Sequence, residues 1–300
     1  MKIVFFGTPD FAVESLSRIF ESKHTIEAVV TAPDKERGRG RQISFSAVKK
    51  YAIEKHIPVL QPIKLNDSSF VDELKKLEVD LFVIVAFRIL PTSVFTLPKY
   101  GSFNLHGSIL PKYRGAAPIQ WSLINGDKET GVTTFFLKEK VDTGNIILQE
   151  KLVVEDEDNF ETLHDKMMVL GGEVVLKTIG LIESNNYEEK QQDDSLASPA
   201  PKITKEICKI DWTKNAEEVH NLIRGLSPFP GAFTKFNEKI YKIYKCKVIM
   251  SKNLLPAQIE QTKTELFVGC GIGSLQISEI QLEGRKRMTT EEFLRGYSLI

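Results

Sequence analysis

Residues 81–87, LFVIVAF, form a nearly unbroken apolar run rich in β-branched side chains, the composition of a strand covered on both faces within a parallel sheet. Residues 3–6 (IVFF) and 26–31 (IEAVVT) read the same way. Stretches of helical length and spacing follow at about 9–20, 47–54 and 69–77, and residues 59–61 make a short edge strand between Pro58 and Pro62. Strands alternating with helices in this way predict right-handed crossovers, and so an α/β fold with a doubly wound, mainly parallel, Rossmann-like sheet.

In such sheets ligands bind outside the carboxyl ends of the strands. The stretch 103–120, FNLHGSILPKYRGAAPIQ, carries Asn104 and His106 to a strand end, two residues apart and so on one face. His106 is suited to proton transfer near neutral pH, and the Asn104 amide to stabilising an oxyanion. Alone, an N-x-H is equally a turn residue and a structural histidine. Its company favours chemistry. Ser108, Ile109, Leu110 and Pro111 make a stiff non-helical loop expected to present free backbone groups to a ligand, and 113–118 (YRGAAP) turns into a helix. Val141-Asp142-Thr143-Gly144 sets a carboxylate at a sharp turn between strand-like runs at 132–137 and 146–153. Asn104, His106 and Asp142 form a candidate acid/base set with an electrophile stabiliser.

Three hundred residues are enough for two domains. Residues 1–184 hold the α/β pattern, with a final helix at 160–182, where His164 receives no role. Residues 185–205 lose apolar content and gain charge, Ser and Pro, as a linker does. Residues 206–300 give a helix at 216–226 and short strands at 232–236, 240–250, 266–270 and 275–280, the pattern of a small β-barrel. Basic and acidic residues balance at 40 each, so only local charge bears on nucleic acid. Lys235, Lys239, Lys242, Lys245 and Lys247 gather with Tyr241 and Tyr244, and Arg285-Lys286-Arg287 forms a second basic knot; basic side chains beside aromatics suit single strands and RNA backbone, and a solvated barrel face explains them equally well. The loop 34–41, DKERGRGR, is either a solvated surface loop or a phosphate clamp. Cys208, Cys246 and Cys270 show no metal-ligand spacing and fit reduced thiols, and no G-x-G-x-x-G marks a dinucleotide site. The opening strand is not a signal segment and no run approaches a membrane span, so a soluble cytoplasmic protein is expected.

The joint pattern N-x-H-x-S-hydrophobic-L-P-x-Y-R-G-A-x-P followed by D-T-G, with the opening KIVFFGTPDFA and the basic loop, resembles the folate-dependent formyltransferase family over nearly the whole chain. The resemblance implies an OB-like C-terminal barrel that binds tRNA and 10-formyltetrahydrofolate as formyl donor. It implies the α-amino group of methionyl initiator tRNA as acceptor, no metal, and a monomer. It places Asn104, His106 and Asp142 in catalysis. It lays the folate along Phe87, Ile89, Leu90, Ser108, Ile109, Leu110 and Pro111, and assigns Arg37, Arg39 and Arg41 to the tRNA acceptor end. One departure stands out: relatives often read V-A-Y-G-x-I-L-P where this chain has VAFRILP at 85–91, one residue shorter and without the glycine. Rival readings are transfer to a small amine (glycinamide ribonucleotide or an amino sugar), a catalytically silent RNA-binding protein, and a nucleotide-dependent oxidoreductase.

Overall fold

The structure, a computed structural model, describes residues 1–37 and 42–299 and divides into two compact units. The first comprises Met1–Gly115, Thr130–Leu152 and His164–Pro199; the second comprises Ala116–Glu129, Val153–Leu163 and Ala200–Ile300. Segments 116–129 and 153–163, taken from the sequence as part of the α/β domain, thus pack with the second unit.

In chain order the elements are β1 (Lys2–Gly7), α1 (Phe11–Phe20), β2 (Thr25–Val30), β3 (Lys35–Arg37), β4 (Gln42–Ser44), α2 (Ala47–Glu54), β5 (Val59–Leu60), α3 (Ser68–Lys76), β6 (Leu81–Val85), α4 (Thr92–Phe95), β7 (Ser102–His106), β8 (Arg114–Gly115), α5 (Pro118–Ile124), β9 (Glu129–Phe136), β10 (Ile146–Val153) and α6 (Phe160–Glu183). After these come β11 (Pro199–Ala200), α7 (Ala216–Gly225), β12 (Ala232–Phe236), β13 (Lys239–Ile249), β14 (Ile259–Gln261), β15 (Leu266–Gly269), β16 (Ser274–Leu282), β17 (Met288–Thr289) and α8 (Thr290–Leu294). The first unit is built on a seven-stranded sheet in the order β10-β9-β7-β6-β1-β2-β5. β1 pairs parallel with β2 and β6, β6 pairs parallel with β7, and β9 pairs antiparallel with β7. This is the doubly wound Rossmann-like arrangement that the apolar runs require. The central strands are buried on both faces: Ile3, Phe5, Phe6, Leu81, Phe82 and Phe103 are fully enclosed, and the Phe6 and Phe82 rings lie 5.0 Å apart. Asp10, Ser46 and Asp67 cap the first three helices by accepting from backbone N–H groups of the first turn.

β7 is gripped from one face by α6. An ideal Cβ on Gly171 would lie 2.7 Å from Leu105 Cδ2, so only glycine allows the helix to approach this closely. A helical glycine costs about 1 kcal/mol against alanine, which the contact offsets. Because side chains alternate along a strand, Leu105 toward α6 sends Asn104 and His106 to the opposite face.

The second unit is the small barrel-like domain, realised as a curled antiparallel sheet, a half-barrel. Its order is β12-β13-β16-β15-β14, with β17 on β16. Val219 and Ile223 of α7 enter the core with Ile243, Leu275, Ile277 and Phe293, and Asn215 with Glu218 forms a capping box on α7. Tyr241 and Tyr244, which the sequence groups with the lysines of β13, are not open for a nucleic-acid strand to lie against. Tyr241 is buried in the core, while Tyr244 is buried with its hydroxyl 2.6 Å from Gln281 Oε1 and the Arg287 guanidinium over its ring at 4.6 Å. No helix among the described residues is long and apolar enough to cross a membrane.

Two tests follow from this packing. Gly171→Leu overpacks the contact with β7 and is expected to cost about 1–3 kcal/mol, read as a lowered urea midpoint; a wild-type midpoint would show that α6 does not press on β7. Burial, then Arg224, holds the half-buried His220 below its ordinary value of 6.5, whereas the unfolded chain protonates there at about that pH. The unfolded state therefore binds more protons as pH falls below about 6.5, and stability, full above that value, declines with acid. His220→Gln is expected to lose less melting temperature than wild type between pH 7.5 and 5.5.

Candidate active site

His106 is the last residue of β7 and sits beside the end of β6, because the register pairs Val85 with Leu105. Its ring is buried, with Nε2 2.8 Å from the Tyr113 carbonyl oxygen. A carbonyl only accepts, so Nε2 carries the hydrogen and the neutral ring holds its lone pair on Nδ1. Nδ1 faces Asp142 Oδ2 at 3.9 Å, a separation for charge attraction rather than a hydrogen bond. Tyr113 orients the imidazole, therefore, and Asp142 stands beside it without a hydrogen bond.

Asp142 occupies the left-handed region at φ 55°, and its Oδ2 accepts from the Gly115 N–H at 2.9 Å. The turn tightens behind it, where a Cβ on Gly144 would collide with the Phe136 carbonyl oxygen. Asn104 pairs through its backbone with Ile84 and Phe135, is partly exposed, and among the described residues its amide makes no hydrogen bond. Its donors are thus uncommitted. His106 and Asp142 thus stand 3.9 Å apart at the carboxyl edge of the sheet, and Asn104, two residues before His106 on β7, shares its face.

The loop 108–111 follows directly, and here one expectation is corrected. Its backbone is not free: Leu110 N–H donates to Thr133 Oγ1 at 3.1 Å, Thr133 Oγ1 donates to the Ser108 carbonyl at 2.7 Å, and Gln149 Nε2 donates to the Leu110 carbonyl at 2.9 Å. Ser108 and Leu110 are buried, Leu110 against Phe135 and Ile146, while Ile109 and Pro111 keep partial exposure. The reason is burial itself, since a loop packed on β9 and β10 must satisfy its polar groups internally. Thr133 and Gln149 escape sequence reading because their partners lie on another element.

Across the edge, Phe87 packs edge-on to Phe6 at 5.6 Å, Leu90 is buried in the core, and Ile89 is 72% exposed. Arg88, at the departure from the family pattern, donates to the Pro62 and Ile63 carbonyls at 2.8 and 3.1 Å and stacks on Phe87 at 5.2 Å. It clamps two loops together, and burial lowers its pKa. Arg37 closes β3, whereas Arg39 and Arg41 lie outside the described residues. Among the described residues no cluster of His, Cys, Asp or Glu is arranged to hold a metal.

Comparison with known proteins places this geometry. Residues 1–179 match the model of the formyl transferase family and residues 202–298 that of the formyl transferase C-terminal domain. The methionyl-tRNA formyltransferase of Bacteroides thetaiotaomicron is 44% identical over 310 residues, covering 100% of this chain and 96% of that protein. That of Caldanaerobacter subterraneus subsp. tengcongensis is 46% identical over 302 residues, with 100% and 98% covered. Among solved structures, the N-formyltransferase of Helicobacter canadensis in complex with folinic acid and dTDP-3-aminofucose superposes with a TM-score of 0.70 at 25% identity, over 96% of this chain and 100% of that one. HypX of Aquifex aeolicus in complex with tetrahydrofolic acid shares the fold alone, with a TM-score of 0.68 at 16% identity over 99% of this chain and 48% of its own. With both family models and full-length relatives in agreement, this chain belongs to the formyl transferase family, among the methionyl-tRNA formyltransferases.

Proposed function

We propose that this chain transfers the formyl group of 10-formyltetrahydrofolate to the α-amino group of methionine carried by initiator tRNA, with Asn104, His106 and Asp142 doing the chemistry. The reading rests above all on a buried imidazole of defined tautomer beside a carboxylate, at the sheet edge, in a chain whose full-length relatives are named for this reaction.

An α-amino group titrates at about 7.7–8.0, so near neutral pH much of it is protonated and cannot attack. The amine sheds that proton to solvent, and as its neutral nitrogen attacks, His106 Nδ1, the nitrogen with the free lone pair, takes the further proton that the nitrogen must lose to become an amide. Asp142, 3.9 Å away, stabilises the imidazolium without accepting the proton itself. As the amine nitrogen bonds to the formyl carbon, the uncommitted Asn104 amide donates to the oxygen gaining negative charge. The carbon–nitrogen bond to the folate then breaks, and the proton held on Nδ1 passes to that leaving nitrogen.

The donor's flat ring fits between the ends of β6 and β7, where Phe87, Ile89, Ile109 and Pro111 offer apolar surface. Leu90, Ser108 and Leu110, being buried, support that surface from below. Ile89, 72% exposed, is an apolar side chain that such a ring would cover. Arg37, Arg39 and Arg41 grip the acceptor end of the tRNA, and residues 206–300 extend the contact along its backbone through the exposed lysines of β13. The protein works in the cytoplasm as a monomer.

His106→Ala is expected to slow transfer to methionyl initiator tRNA by about 10² to 10⁴, and Asn104→Leu by about 10² to 10³, with KM for both substrates changed only a few-fold. Near-native turnover in either variant would remove that residue from the chemistry. Arg39→Ala should instead raise the acceptor KM and flatten its salt dependence by about one unit of log–log slope. Offered methionyl-tRNA and a dTDP-linked amino sugar together, the wild type should formylate the tRNA; formyl transfer to the sugar alone would assign the chain a small acceptor.

A further inference from the structure

Residues 192–198 lie in the stretch whose composition reads as a linker, yet they hold the two ends of the catalytic pair. Gln192 is buried. Its Nε2 donates to the Asp142 carbonyl at 3.0 Å and the Gly144 carbonyl at 2.8 Å, while its Oε1 accepts from Arg114 Nε at 3.0 Å and Nη2 at 2.7 Å. All four hydrogen-bonding positions of the amide are used. The two carbonyls demand donors and the guanidinium demands an acceptor, so the amide has one satisfactory orientation.

Arg114 is anchored further by Asp194 Oδ1 at 2.7 Å and by its own backbone N–H, which donates to the Ser198 carbonyl at 2.9 Å. Ser198 Oγ accepts from the Tyr113 N–H at 2.9 Å. Tyr113 and Gly115, on either side of Arg114, are the residues whose carbonyl and amide fix His106 and Asp142. One short segment thereby sets the position of both.

We propose that Gln192, acting with Arg114 and Ser198, is a positioning residue that holds the Asp142 carboxylate at its distance from His106. The inference rests on the catalytic reading of that pair, and its test separates the two. Gln192→Leu removes every bond, while Gln192→Glu keeps the acceptor for Arg114 and loses both donors to the 142–144 turn, so it serves if the leucine variant fails to fold. Without any substrate, the Gly115 amide proton reports its bond to Asp142 by chemical shift and exchange rate. In either variant it is expected to move upfield and exchange faster; an unchanged Gly115 amide would overturn the proposal whatever reaction the chain performs.

With substrates, kcat should fall by roughly 10- to 100-fold, the scale of a misplacement near 1 Å, with both KM values nearly unchanged. In combination with Asp142→Asn the loss should not multiply, because both changes remove one effect. Fully multiplicative losses would contradict action through Asp142. A wild type that transfers no formyl group to methionyl-tRNA would refute the functional reading and leave the Gly115 result standing.

Discussion

The 2.8 Å hydrogen bond from His106 Nε2 to the Tyr113 carbonyl is the contact on which the rest of the site depends. It fixes the ring in a buried position and leaves the lone pair on Nδ1, on the side of Asp142. Without it a histidine at a strand end has two tautomers and free rotation, and only one arrangement presents a base. Much of the first unit serves to keep the two partners of that bond in place. β7 brings the ring to the sheet edge, α6 presses on Leu105 behind it, and the segment after β7 folds back so that Tyr113, seven residues on, returns its carbonyl to the ring.

Such a return needs a rigid loop, and the rigidity comes from hydrogen bonds rather than from apolar burial alone. Thr133 both donates to Ser108 and accepts from Leu110, and Gln149 donates to the Leu110 carbonyl and to Thr133. Ser108, Leu110 and Thr133 are buried, so leaving one of their polar groups unpaired costs about 1–3 kcal/mol. The loop has therefore one well-satisfied conformation. The same logic governs the turn at Asp142, where a non-glycine residue holds a left-handed backbone and Gly144 allows the chain to pass against Phe136. Strain at such a turn persists only where surrounding bonds over-determine it, and Gln192 and Gly115 supply them.

The fold was legible because its cause is local. Runs such as 3–6 and 81–87 are apolar on both faces, which only a strand covered on both sides explains. Asn104 and His106 were legible for the same reason, since a spacing of two on a strand means a shared face. What remained hidden is set by partners far apart in the chain: Gln192 bonds residues 50 and 78 positions away, and no periodicity in a polar stretch announces that. The tautomer of His106 depends on a backbone carbonyl, which every residue possesses. The burial of Tyr241 and Tyr244 was hidden too, because the groups that cover them, such as Phe293 and Gln281, lie far along the chain. Arg88 stood out only as a departure from the family pattern; its bonds run to carbonyls 25 and 26 positions away, which no local pattern announces.

The most direct test of this account is the protonation pattern of His106 in the neutral protein, read by nitrogen-15 NMR with the resonance assigned by loss in His106→Gln. The account predicts the pattern of a ring protonated at Nε2 and bare at Nδ1. A ring protonated at Nδ1 would aim its lone pair at the Tyr113 carbonyl, and His106 would then be neither oriented nor available as the base described above.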